Sequence, residues 1–291
     1  MGRVHQIAVD TDTELETYLD HLQWTENPFA RPTTLDEYVL PSTEDIADIA
    51  SQLRNYTGPI LIHSRFSGAG KTTLVRTLLE EFSEDYRTAY IGEHNVTPYE
   101  LVAIVADKLG INKSSSTKLT EQKIEDTDLN APALLGIDEF GLNDPDTLHV
   151  IQFLNDLDGF HVLLTGMSSQ WESIGSLGSD GQAFQRRVAY QLELEPFERE
   201  QTTELIQRRI ASATGRNYKA VGDVSLHPFS REAIDVIHDR AKGIPAVIVA
   251  SCSELVGLAA YRHGQGLGDE ISANLAERID YADPEVEVQS E

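Results

Sequence analysis

The stretch that most restricts this chain is SRFSGAGKTTL at 64–74, set between a short apolar run, PILIH at 59–63, and helical periodicity over 72–82. An apolar run that short, bounded by Gly58, reads as a buried strand, so the glycines lie in a strand-to-helix turn. In such a turn successive backbone N–H groups close around phosphate oxygens, and the helix N-terminus adds positive potential. Gly68 and Gly70 supply the backbone freedom, with Ser67, Ala69 and Thr73 completing the cradle. Lys71 is expected to reach the outer phosphates as a point charge, and the Thr72 hydroxyl to ligate magnesium. The pattern G-x-x-x-x-G-K-[ST] asks for glycine where Arg65 stands. That glycine shapes the entry turn, so phosphate binding should survive its loss. The bland alternative, a Gly-rich turn with an incidental lysine, has the flanking strand and helix against it.

From this turn on, apolar runs alternate with helical patterns. Strands are expected at 59–63, 87–91, 133–137, 160–165 and 188–194, and helices at 72–82, 98–109 and 145–157. Alternation of this kind means a parallel sheet covered on both faces, an α/β fold. A helix over 42–55 precedes it, with Ser42 as N-cap and Asp45 as its acidic partner. After Pro196 only helical periodicity follows, at about 198–213, 230–241, 246–262 and 269–279. The expected domains are a mostly irregular leader (1–41), punctuated by Pro28 and Pro32, an α/β domain (42–195), a helical domain (196–280) and a frayed acidic tail (281–291).

A second chemical signal is ALLGIDEF at 133–140, a strand that runs into two acids at its C-terminal end, where open α/β sheets bind ligands. Asp138 is expected to hold magnesium, and Glu139 to orient and deprotonate an attacking water. Thr165, closing FHVLLT, is a candidate to bridge that water and the γ-phosphate, or else a polar strand terminus. Arg186 and Arg187 precede the last strand, where one of them would reach a neighbouring subunit's nucleotide, unless both are solvated surface. The nine histidines show no ligand-like pairing, so no metal is expected beyond nucleotide-bound magnesium.

Composition excludes some classes. Cys252 stands alone, so there is neither a disulfide framework nor a cysteine metal site. No run approaches the roughly eighteen apolar residues of a spanning helix, and the opening MGRVHQIAVDTDTELE is acidic where a signal peptide is apolar. The expectation is a soluble cytoplasmic protein with no membrane partner. A net charge of −25 ordinarily repels nucleic acid. Here the acids are spread along the whole chain and lysines are few, which reads as the acidic bias of a salt-loving organism; the alternative is a solvated acidic face on an ordinary protein.

Taken in order, WTENPF (24–29), SGAGKTTL, LLGIDEF, VLLTGMSSQW (162–171), FQRRV (184–188), LEPFEREQTTELIQRRI and AKGIPAVI resemble AAA+ ATPases of the ExeA and TnsC-like group, which stand near the archaeal origin-recognition ATPases. The resemblance runs from about 20 to 280. It implies a P-loop NTPase with a five-stranded parallel sheet and a C-terminal all-helical lid, ATP and magnesium at their junction, and homo-oligomers, ring or filament, that complete each site in trans. By position it makes Arg187 the trans-acting arginine and has Asn27, Pro28 and Phe29 flank the adenine. One departure is Ala246 in Gly243-Ile244-Pro245-Ala246, where relatives carry an arginine that senses the γ-phosphate. That loss implies slow turnover or a switch.

Lys108, Lys113, Lys118 and Lys123 gather four of the chain's lysines within sixteen residues, in a region that faces the central pore in DNA-handling relatives. They would track a duplex DNA backbone, or else pair with Glu121, Glu125 and Asp126 on a solvated loop. The expected function is an oligomeric ATPase acting on DNA in transposition, replication or defence. Alternatives are a non-hydrolysing nucleotide switch that recruits a protein partner, and a secretion or pilus accessory.

Overall fold

A computed structural model describes residues 3–30, 43–142, 144–215 and 224–283; Ser42 and the acidic residues from 284 on lie outside them. The chain divides into two units, Met1–Val39 with Pro196–Pro284, and Leu40–Glu195 with Glu285–Glu291.

The first unit is helical. It contains α1 (Arg3–Leu22), α9 (Arg199–Ala213), α10 (Arg231–Ala241), α11 (Pro245–Gly264) and the short α12 (Ala273–Ala276). The helix α1 corrects the expectation of an irregular leader. Pro28 and Pro32 lie beyond its end, and Leu15, Tyr18, Leu19 and Leu22 recur at the i, i+3, i+4, i+7 spacing of a helix stripe. That stripe packs on α11, with Tyr18 fully buried and its hydroxyl donating to Asp269 O at 2.6 Å. The segment after α1 is pinned to α9 by the buried Arg209, whose guanidinium donates to Pro28 O at 2.6 Å. The helix expected over 269–279 shortens to four residues.

The second unit is α/β. Its elements are α2 (Thr43–Asn55), β1 (Ile60–Ser64), α3 (Lys71–Glu81), β2 (Arg87–Ile91), α4 (Pro98–Lys108), α5 (Thr117–Glu125), β3 (Ala133–Ile137), α6 (Thr147–Asp156), β4 (Phe160–Met167), α7 (Ser168–Ile174), α8 (Ser179–Arg187) and β5 (Tyr190–Glu193). The sheet is parallel throughout, in the order β2-β3-β4-β1-β5. Every residue of β1 and β3 is buried, as a strand covered on both faces requires, which is why ILIHS and ALLGI are nearly uninterrupted apolar runs. On one face Leu101 and Val105 of α4, Ile151 and Leu154 of α6 and Phe184 of α8 close over Ile91, Leu135 and Leu164.

Gly136 decides how closely α3 lies on β3. A Cβ there would stand 2.6 Å from Val75 Cγ1 and 2.9 Å from Leu79 Cδ1, so a glycine lets both side chains of α3 rest directly on the strand. The start of α3 is thereby held against the ends of β1 and β3. Among the described residues no helix is long and apolar enough to cross a membrane.

Candidate functional site

All five strands point the same way, so whatever follows β1, β3 and β4 collects along one edge of the sheet. There the glycine-rich turn meets the two acids. Gly68 and Gly70 adopt left-handed φ values of 80° and 95°, conformations that carry little strain only in glycine. Gly70 caps α3 without a side-chain hydrogen bond, which leaves the first-turn N–H groups facing the loop. The loop's entry is set by Ser64, whose hydroxyl donates to Phe66 O at 2.7 Å and accepts from Phe66 N at 2.9 Å. Arg65 points away from the turn and donates to Glu193 Oε1 of β5 at 2.9 Å, so the missing glycine is accommodated.

Lys71 is 5% exposed, and its ammonium has the Met167 thioether at 3.3 Å and Glu139 Oε1 only at 3.9 Å. A buried cation with partners this weak is poised for an anion. Thr72 Oγ1 donates to Asp138 Oδ2 at 2.7 Å, joining two motifs sixty-six residues apart. The pairing of one hydroxyl and one carboxylate fits magnesium, which binds through one or two protein oxygens and completes its shell with water and phosphate. Among the described residues no three His, Cys, Asp or Glu side chains gather to hold a metal unaided.

Thr165 stands behind the acids. Fully buried, it donates to Asp138 Oδ1 and accepts from Glu139 N at 2.9 Å. It therefore fixes the strand end at which Glu139 takes a left-handed φ of 47°. The group at the end of β4 that reaches the Lys71 amine is Met167. Two residues escaped the sequence reading. Tyr90 donates to Asp138 Oδ2 at 2.6 Å, and burial, that hydrogen bond and the carboxylate's charge push its hydroxyl up to about 12. His63 Nδ1 lies 2.9 Å from Ser168 Oγ, and burial holds the imidazole below its usual range. The signal for Tyr90 was its place one residue from the end of RTAYI, the neighbour of the strand that carries the acids.

Arg187 lies at the opposite edge. A Cβ on Gly58 would meet Arg187 O at 2.5 Å, and Ala189 N donates to Pro59 O at 2.9 Å, which places Arg187 where β1 begins. The glycine turn follows the end of β1, so about 17 Å of strand separates the two. The guanidinium donates to Asp156 Oδ2 at 2.8 Å and, with Arg54, Arg186 and His161, lines a cleft of about 730 Å³.

Asn27 and Phe29 belong to the helical unit. Phe29 N donates to Asn27 Oδ1 at 3.0 Å, Asn27 Nδ2 donates to Ser253 Oγ at 3.4 Å, and the buried Phe29 ring meets Phe229 edge-on at 5.6 Å. Ala246 is exposed in the first turn of α11. Lys108 at the end of α4, Lys113 in the loop that follows, and Lys118 and Lys123 on α5 are exposed. Among the described residues none of the four forms an ion pair; Lys123 Nζ donates to Asn112 O at 3.3 Å.

No family model and no curated protein matches the sequence. Solved structures do resemble it. The ADP form of the ORC2 protein of Aeropyrum pernix aligns with a TM-score of 0.64 and 15% identity over 88% of this chain and 72% of that one. A RuvB mutant of Thermotoga maritima aligns at 0.51 and 19%, over 85% and 71%. Domain III of the replication initiation protein DnaA of Thermotoga maritima aligns at 0.52 and 14%, over 84% and 93%. At such identities the likeness is one of fold: a five-stranded parallel sheet with flanking helices and a C-terminal helical region, the AAA+ form of P-loop NTPase.

Proposed function

We propose that this chain is a magnesium-dependent ATPase that works as a homo-oligomer on duplex DNA. The observation that carries the reading is the hydrogen bond from Thr72 to Asp138, with Glu139 beside the under-partnered Lys71. Two motifs distant in sequence converge there on the chemistry each predicts. Backbone N–H groups from Ser67 to Thr73 and the Lys71 ammonium would bind the β- and γ-phosphates. Thr72 and Asp138 would hold magnesium, whose charge, when bound, screens the phosphate oxygens. Glu139 would take a proton from the attacking water as its oxygen bonds to the γ-phosphorus and the bond to the β-phosphate oxygen breaks. Thr165 acts on this step through the two acids it holds. Arg187, too far from its own loop, would serve the nucleotide of an adjoining copy.

DNA as the substrate is supported by the four exposed lysines, which form no ion pair among the described residues of a chain whose net charge is −25. The likeness to the ORC2, RuvB and DnaA structures is one of fold alone. A slower, switch-like reading is favoured by one observation. The side chain that the end of β4 presents to Lys71 is the thioether of Met167, which has no proton to donate to phosphate or water. With Ala246 lacking a cation as well, turnover should be slow until a partner stimulates it.

The test is ATP turnover in molar potassium chloride, matching the salt-adapted reading of the charge, and again at lower salt, each with and without duplex DNA. Stimulation that weakens as salt rises, and that is lost when Lys113, Lys118 and Lys123 are replaced by Gln, is the expected result. Equal rates with and without DNA at every salt concentration would leave the nucleotide chemistry standing and remove DNA as the substrate.

A further inference from the structure

Tyr90 has no part in the reaction steps above, yet it touches the group on which metal binding turns. Its hydroxyl and that of Thr72 converge on one oxygen, Asp138 Oδ2, at 2.6 and 2.7 Å, while Thr165 occupies Oδ1. Tyr90 pairs with Gly136 in the β2–β3 register, two residues before Asp138, so its side chain reaches the acid from the neighbouring strand.

The ring is held on two further sides. The Arg76 guanidinium lies over it, 4.4 Å from the centroid. Arg76 follows Thr72 by four residues on α3, which puts both on one face of that helix. The backbone at Gly92 closes against the ring edge, where a Cβ would come within 2.6 Å of Tyr90 Cε1 and 2.9 Å of its hydroxyl oxygen. Thr72, Asp138, Tyr90 and Arg76 thus form a closed circuit through α3, β3 and β2.

We propose that Tyr90 is a positioning residue for magnesium: clamped by Arg76 and Gly92, it holds Asp138 Oδ2 in register with Thr72 Oγ1 before the metal arrives. A carboxylate free to rotate would have to be ordered on binding, and partners behind a metal ligand remove that cost. The phenol suits the task because its bond to a carboxylate is charge-assisted. The inference rests on the reading of the loop as a magnesium–ATP site.

Its test uses the full chain with Tyr90→Phe and, separately, Gly92→Ala. Phe keeps the ring, its Arg76 contact and its packing, and removes only the hydroxyl. Two quantities are measured: ATP affinity in EDTA by calorimetry, and manganese affinity with ATP saturating, by the electron paramagnetic resonance signal of the free ion. Tyr90→Phe is expected to leave metal-free ATP affinity unchanged and to weaken manganese binding about tenfold. Gly92→Ala should weaken it in the same direction, because the added methyl displaces the ring. Unchanged manganese affinity in Tyr90→Phe would overturn the proposal, and so would a loss of metal-free ATP affinity as large as the loss for metal. If the unaltered protein binds no ATP with or without metal, the nucleotide reading itself fails and this inference goes with it.

Discussion

Replacing Glu139 by Gln is expected to lower ATP turnover by about 10² to 10⁴, the range supplied by a positioned general base, while ATP still binds. The amide keeps the size and hydrogen-bonding reach of the acid but cannot accept the water's proton at neutral pH. The backbone that presents it is untouched, since Glu139 N remains bonded to Thr165 Oγ1. Binding should if anything tighten. Lys71 loses the carboxylate 3.9 Å away that competes with phosphate for its charge. Phosphate release and nucleotide binding, measured on the same preparation, separate the effects. A variant that turns over at the original rate would take Glu139 out of the chemistry; one that binds no ATP would make it part of the binding site instead.

Replacing Arg187 by Ala should cost about 10³ in turnover wherever copies of the chain assemble, the scale of an arginine that neutralises charge on a transferring phosphoryl group. Geometry makes this a test of assembly as well as of chemistry. Arg187 marks the start of β1 and the glycine turn follows its end, so one side chain cannot serve its own loop. Mixing Arg187→Ala with Lys71→Ala, each inactive alone, should restore part of the turnover. A mixed assembly pairs an intact loop with an intact arginine on the neighbour. The exposed ion pair with Asp156 is a modest obstacle, because such pairs contribute little and are screened by salt. A mixture as inactive as its parts would argue against action in trans, and a fully active Arg187→Ala monomer would dismiss the arginine altogether.

The α/β unit was legible because its strands are buried on both faces. PILIH, ALLGI and FHVLLT carry almost no polar residue except at their ends, and a short apolar run closed by a turn has few other readings. The placement of the loop and the acid pair at strand ends was legible for a related reason: each is confined to one local turn after an apolar run. What escaped was settled by distant neighbours. The helix α1 was obscured by its acids and by prolines that lie beyond it, and its stripe from Leu15 to Leu22 finds its cover on α11, more than two hundred residues away. The helix α5, TKLTEQKIE, buries only Thr120 and Ile124, too few positions to register as a period. Thr165 reads from the sequence as a bridge between water and γ-phosphate or as a polar strand terminus, whereas β4 continues to Met167 and carries it behind Asp138. Tyr90 gave only a faint sign, its place near the end of RTAYI, because its role comes from the pairing of β2 with β3, a property of the sheet order.

Nucleotide binding is tested most directly by calorimetric titration of ATP into the protein with magnesium in molar potassium chloride. Saturable heat at one site per chain is expected, abolished by Lys71→Ala in a protein that still folds. Absence of heat in the unaltered protein, or heat that Lys71→Ala leaves unchanged, would contradict that binding.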